Sequence, residues 1–195
     1  MDNGSDSEIR NPNDGQLPGN RFSPSRTQKG QVVLIGILSD THNQMKRTAA
    51  AIQLLRAEGA QVLFHCGDLT DPDIVGVCAL LPCYFVFGNN DAYRVDEIQA
   101  AINQADGAVC LGWGGEVERA GKRIAATHGH LIKEFRRLLA TNPDYLFTGH
   151  SHVAADHREG VTRFINPGTL HRAQEFTVAL LNLENDNLKF LPVPA

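Results

Sequence analysis

Apolar runs that each stop at a cluster of polar, chemically active residues set the pattern of this chain. Residues 31–38 are a continuous β-branched and aliphatic stretch, read as a buried strand, and it ends in Ser39-Asp40-Thr41-His42. Met45, Ala49, Ile52 and Leu55 then recur at helical spacing over residues 45–57, with Gly59 just past the end. Residues 61–66 form a second strand, which stops at Gly67-Asp68. Asp71-Pro72 reads as a helix start, leading into residues 74–81. A third strand, 83–87, ends in Gly88-Asn89-Asn90-Asp91, and a weaker helix follows around 95–104.

Past that point the period changes. Residues 116–119 and 123–127 flank a tight Ala120-Gly121-Lys122 turn and predict a hairpin, closed by His128-Gly129-His130. A basic amphipathic helix spans 131–140, and a short strand at 145–148 runs into Gly149-His150-Ser151-His152. Two more hairpins are expected, 153–158 with 161–165 and 177–183 with 188–193. A βαβαβα first half followed by hairpins implies an α/β fold of two packed, partly parallel sheets with helices on the outer faces. Residues 1–30 are rich in Asn, Gly, Ser, Asp and Pro with almost nothing apolar, so they are expected to be a disordered tail before a single domain at 31–195.

Composition narrows the picture. A chain of 195 residues, 42% hydrophobic and 21% charged, suits one globular domain plus a tail. The net charge of −4 argues against a nucleic-acid surface, and Lys133, Arg136 and Arg137 read as the solvated face of their helix. No apolar stretch reaches spanning length and no signal-peptide pattern opens the chain, so a soluble, cytoplasmic protein without a membrane partner is expected. Cys66, Cys78, Cys83 and Cys110 lie in or beside apolar runs without a C-x-x-C pair, as small buried hydrophobes in a reducing compartment would.

The chemistry lies in the five clusters. Taken singly, each residue has a plainer role: Asp40 as a helix cap, Asn89 in a left-handed turn, Gly67-Asp68 as an ordinary turn. Taken together, they sit at five strand ends, where ligands bind in open α/β sheets. Asp40 and His42 are two apart, as are His150 and His152, so in extended chain each pair presents two groups from one face. With Asp68, Asn89 and His128, these give seven groups, too many for one four-coordinate zinc and suited to two ions with one carboxylate shared. Mixed nitrogen and oxygen donors without thiolate fit two divalent transition-metal ions, manganese, iron, zinc, cobalt or nickel, of which manganese is the one expected. Asp40 and Asp68 cancel two of the four positive charges. The rest can hold a hydroxide and attract a phosphate, and two ions roughly 3.5–4 Å apart are a known clamp for phosphoryl displacement. His65, His157 and His171 fall outside the clusters and read as structural.

In this order, Asp-x-His, Gly-Asp, Gly-Asn-x-Asp, His-Gly-His and Gly-His-x-His resemble the calcineurin-like metallophosphoesterases. Residues 38–42 and Asn166-Pro167-Gly168-Thr169 are most similar to the small bacterial and archaeal phosphodiesterase branch. The resemblance runs from about Val32 to the C-terminus. It implies a four-layer α/β/β/α sandwich and a phosphodiesterase acting through a metal-bound hydroxide. It also implies one metal held by Asp40, His42, Asp68 and His152, and the other by Asp68, Asn89, His128 and His150. The family's usual proton donor, a His after the motif Asn, is here Asn90, which cannot titrate. His130, or no side chain, is expected to serve instead, and Asp91 to orient a ligand imidazole. Relatives in the small branch further imply a homodimer or tetramer, and a small phosphoester substrate. Competing readings are a phosphomonoesterase, a nuclease and a non-catalytic scaffold. The filled set of seven ligand positions favours an enzyme.

Overall fold

The computed structural model describes residues 33–194. The expected tail at 1–30 and the first two residues of the first strand lie outside them. Two sheets make up the fold. The first has the order β11-β10-β1-β2-β3-β4, built from β1 (Leu34–Leu38), β2 (Val62–His65), β3 (Cys83–Phe85), β4 (Ala108–Cys110), β10 (Phe176–Asn182) and β11 (Asn187–Val193). β1 to β4 are parallel, while β10 runs antiparallel to β1 and to β11. The second sheet has the order β5-β6-β7-β9-β8, from β5 (Gly114–Arg119), β6 (Lys122–Thr127), β7 (Tyr145–Phe147), β8 (Ala155–Glu159) and β9 (Thr162–Asn166). Here β6, β7 and β9 are parallel and the outer pairs antiparallel.

The alternation of side chains across each strand builds the layers. Ile35, Ile37, Phe64 and Leu181 of the first sheet meet Ile124, Phe147 and Ile165 of the second in an inter-sheet core. The opposite face, with Leu38, Leu63 and Phe85, packs under α1 (Met45–Ala57), α2 (Asp73–Cys78) and α3 (Val95–Gln104) through Ile52, Leu55, Ile74, Ile98 and Ile102. α4 (Ile132–Leu139) covers the outer face of the second sheet with Leu138 against Ala125, Leu146 and Phe164. The four-layer α/β/β/α sandwich is therefore the observed architecture. None of the helices among the described residues is long and apolar enough to cross a membrane.

Three expectations shift in detail. α2 stops at Cys78, not at Leu81: Ala79 already leaves helical geometry with ψ of 8°, and Pro82 disfavours helical backbone at Leu81. β3 ends at Phe85, and the Phe87 amide turns to the Gly112 carbonyl. β4 had no signal, since three residues are too few to show a period.

Gly36 sets how closely α1 approaches β1. A Cβ there would lie 2.6 Å from Leu63 Cδ2 and 3.0 Å from Leu55 Cδ1. Gly36→Ala is expected to lower unfolding free energy by about 1–3 kcal/mol through overpacking. A urea titration giving the wild-type midpoint would show that the helix yields at no cost.

Candidate metal centre

The five clusters leave the C-terminal ends of β1, β2, β3, β6 and β7, the parallel strands of both sheets. Beyond the strands, parallel pairing continues: Asp40 N–H donates to Gly67 O, His42 N–H to Asp68 O and Asn43 N–H to Leu69 O, each at 3.0 Å. The backbone there is not extended. Asp40, His42, Asp68, His150 and His152 have φ of 53°, 41°, 59°, 68° and 60°. The i, i+2 argument from extended chain is thus corrected: Asp40 and His42 come together through left-handed turns, whereas His152 joins them and His150 turns toward His128. Each such residue costs on the order of 1–3 kcal/mol and persists only where its surroundings over-determine it. The observed strain falls on five of the seven candidate ligands.

Asp40 is tied to the loops after β7 and β9. Its Oδ2 accepts the His150 amide at 3.1 Å, and its carbonyl accepts Thr169 Oγ1 at 3.2 Å and the Leu170 amide at 3.3 Å. Gly149 makes this approach possible, since a Cβ there would sit 1.9 Å from Ser39 Oγ and 2.9 Å from Asp40 Oδ2. Asn166 ties the same loop down, donating to Gly149 O at 2.7 Å and Ser151 Oγ at 3.1 Å.

Two groups of side chains bring their ligand atoms within 4.8 Å of one another: Asp40, His42 and His152, and Asp40, Asp68 and His128. His152 Nε2 lies 3.1 Å from Asp40 Oδ1. Asp68 Oδ2 is equidistant, at 3.4 Å, from His42 Nε2 and His128 Nε2. Asn89 joins through Oδ1, 3.2 Å from His128 Nε2. His150 belongs to neither group; its ring meets that of His128 edge-on at 5.1 Å.

The electrostatics call for a cation. His128 Nδ1 donates to Cys66 O at 2.8 Å, which in the neutral ring leaves a lone pair on Nε2 facing the Asn89 and Asp68 oxygens. Burial alone would lower the His128 pKa, but Asp68, Asp40 and the Cys66 carbonyl together outweigh it and raise it. Burial would likewise raise Asp68, yet His128 and Asn90 hold its carboxyl well below the usual range. His42 moves down, because burial outweighs Asp68 and Asp40. Asp40 Oδ1 and His42 Nε2 are buried and have no hydrogen-bond partner. Buried polar atoms left without a hydrogen bond are costly, and a divalent ion bound by both would remove the cost. Carboxylate, amide and imidazole donors without thiolate fit a borderline transition metal, so the residues fit the group.

The three residues named for catalysis are placed as follows. Asn90 donates to Asp68 twice, from N–H to Oδ1 at 2.9 Å and from Nδ2 to Oδ2 at 2.6 Å. Asp91, expected beside an imidazole, instead accepts three backbone amides: Asp68 N at 2.9 Å, Gly88 N at 2.7 Å and Thr70 N at 2.7 Å. Its burial pushes the pKa up to about 6 despite those donors. The reason is chain geometry: Asp91 caps the one-turn 3₁₀ segment Asn89–Asp91 from inside the β2–β3 crossing. His130 lies beside His128 and His150, with ring centroids 5.4 and 6.1 Å away, and its buried Nδ1 has no partner. Burial first, then the two neighbouring imidazoles, lower its pKa to about 4.

Two residues read as structural border the centre. His65 Nδ1 accepts the Gly67 amide at 3.3 Å, so Nε2–H faces Thr41 Oγ1 at 3.1 Å, and Thr41 in turn donates to Asp68 O at 3.4 Å. Burial drives its pKa down to about 3, and the neutral ring is a fixed strut. His171 stacks on His42 with ring centroids 4.4 Å apart. Its only signal in the sequence was its place two residues past Asn166-Pro167-Gly168-Thr169.

Residues 33–186 match the family model of the calcineurin-like phosphoesterase superfamily domain. The chain is 27% identical over 142 residues to a phosphodiesterase of Methanocaldococcus jannaschii, covering 69% of this chain and 82% of that protein. It is 25% identical over 167 residues to a probable metallophosphoesterase of Methanothermobacter thermautotrophicus, covering 80% and 89%. Among solved structures it is similar to an archaeal phosphodiesterase, at TM-score 0.74 and 22% identity over 82% of this chain and 99% of that one.

Proposed function

The chain belongs to the calcineurin-like phosphoesterase superfamily, a family of metal-dependent phosphoester hydrolases, and on that premise we propose that it is a binuclear phosphodiesterase acting on small phosphodiesters. The observation that carries the reading is the pair of buried atoms without a hydrogen bond among the described residues, Asp40 Oδ1 and His42 Nε2, with Asp68 Oδ2 equidistant from His42 Nε2 and His128 Nε2. Asp40, His42 and His152 would hold one ion, and His128, Asn89 and His150 the other, with Asp68 available to both. Manganese is the first choice of metal. A bound pair supplies Lewis acidity and a water acidic enough to attack at neutral pH.

The chain's own residues supply the rest. Asn90 fixes both Asp68 oxygens, so the shared carboxylate keeps one orientation. Cys66 O fixes the His128 tautomer. His130 is neutral at pH 7, so it meets the leaving oxygen as a hydrogen-bond donor and not as an acid. Without an acid at position 90, the leaving group must depart with little protonation. Diesters with good leaving groups are therefore the fitting substrates.

Metal analysis of purified protein, then a panel of aryl and alkyl diesters and monoesters with added Mn, Ni or Zn, tests this. Aryl diesters are expected to turn over at least ~10-fold faster than alkyl ones, a part of the ~10²–10⁴-fold that general acids contribute. Equal rates under rate-limiting chemistry would remove the argument from the missing acid. Faster monoester turnover would favour a phosphomonoesterase.

A further inference from the structure

We propose that His171 contacts the substrate, donating a hydrogen bond from its ring N–H to a phosphoryl oxygen; this rests on the phosphoester reading above. Its ring lies 4.4 Å from the His42 ring with 29° between the planes, nearer than His152, whose centroid is 5.6 Å away. The segment that carries it is bonded directly to the metal centre. Thr169 Oγ1 donates to Asp40 O and accepts the His171 amide at 3.0 Å, and Leu170 N–H donates to Asp40 O. Arg47 Nη1 holds Leu170 O from the other side at 2.7 Å, while its guanidinium lies 3.6 Å over the Phe176 ring.

That anchoring has no use for the ring's nitrogens. Neither makes a hydrogen bond among the described residues, and His171 belongs to neither ligand group. If packing on His42 were the whole role, an apolar ring would serve and would desolvate no polar atom. A half-buried imidazole held rigidly against a ligand ring, with both nitrogens open, is suited to a guest that brings its own acceptors. The charge around it favours an anion, since Arg172 follows it directly with a left-handed φ of 46° and Arg47 braces the segment. The phosphoryl group of a diester is such a guest. The contact moves no proton, and neutral imidazole already carries the N–H it needs.

His171→Phe keeps the stacked ring and removes the donor. Wild type and variant are loaded with manganese, desalted, and compared by metal content and by calorimetric titration with inorganic phosphate. Expected is unchanged metal content with phosphate Kd raised about tenfold to hundredfold, as for loss of one hydrogen bond to a charged group. Phosphate binding as tight as in wild type overturns the proposal, as does metal loss in step with phosphate loss, which would make the ring a mere prop for His42. A loaded wild type that binds no phosphate overturns it too. Hydrolysis of bis(p-nitrophenyl) phosphate by the wild type separates the two claims: phosphate binding that depends on His171, without ester turnover, would defeat the phosphodiesterase reading alone.

Discussion

Asp68→Asn is expected to strip the protein of at least one metal ion and to lower diesterase activity by more than ~100-fold, beyond the ~10–100-fold typical of residues that only orient a ligand. The side chain keeps its shape, so the loss isolates charge and lone pairs. Asp40 Oδ1 is 4.0 Å from both His42 Nε2 and His128 Nε2, whereas Asp68 Oδ2 stands nearer to each, at 3.4 Å from both. An amide brings no charge to that point. Turned one way it offers a neutral oxygen; turned the other, an N–H aimed where a cation should sit. Asn90 adds to the penalty, because its Nδ2 donates to that same oxygen and must then face either a weaker acceptor or another donor. Metal analysis and steady-state kinetics on the same preparation check it. A variant that keeps two ions and normal turnover would end the assignment of Asp68 as the shared ligand.

Asp91→Ala should act through the fold. The carboxylate touches no candidate ligand side chain; it gathers the amides of Asp68, Gly88 and Thr70 from the loops after β2 and β3. Truncation leaves three N–H groups in a buried site without their acceptor. At about 1–3 kcal/mol for each unsatisfied group, the expected loss is about 3 kcal/mol or more, against a usual total of about 5–15. For a chain of this size that is a drop in Tm of roughly 6–12 °C. Asp68, with its φ of 59°, is held partly by the hydrogen bond its N–H donates to the Asp91 carboxylate, so relaxation of this turn should also weaken metal binding. Thermal unfolding with and without added manganese measures both effects. Wild-type Tm and metal content in the variant would show that solvent replaces the carboxylate at no cost.

Much of this centre was legible along the chain, for a definite reason. A parallel strand buried on both faces is a short apolar run, and its C-terminal loop is where polar residues can resume. Asp40, Asp68, Asn89, His128 and His150 therefore announced themselves as breaks after hydrophobic stretches, and their types specified mixed-donor ligation. The same logic failed wherever a role depends on contact and not on position. Asp91 stood in the right motif, but only the crossing of two loops shows that it holds amides and no imidazole. His171 lies more than a hundred residues from His42, and its place two residues past Asn166-Pro167-Gly168-Thr169 gives no hint of that partner; the β9–β10 connection brings the rings together. β4, with three residues, had no period to read.

By itself, then, the sequence determined the α/β class, the order of strands and helices apart from β4, and the chemical nature of the donors, because hydrophobic period and side-chain type are properties of neighbouring residues. The tertiary structure alone decided which donors meet, which carboxylate oxygen lies between two imidazoles, and which backbone turns are left-handed. Those depend on distances between segments that only packing of one sheet on the other can fix.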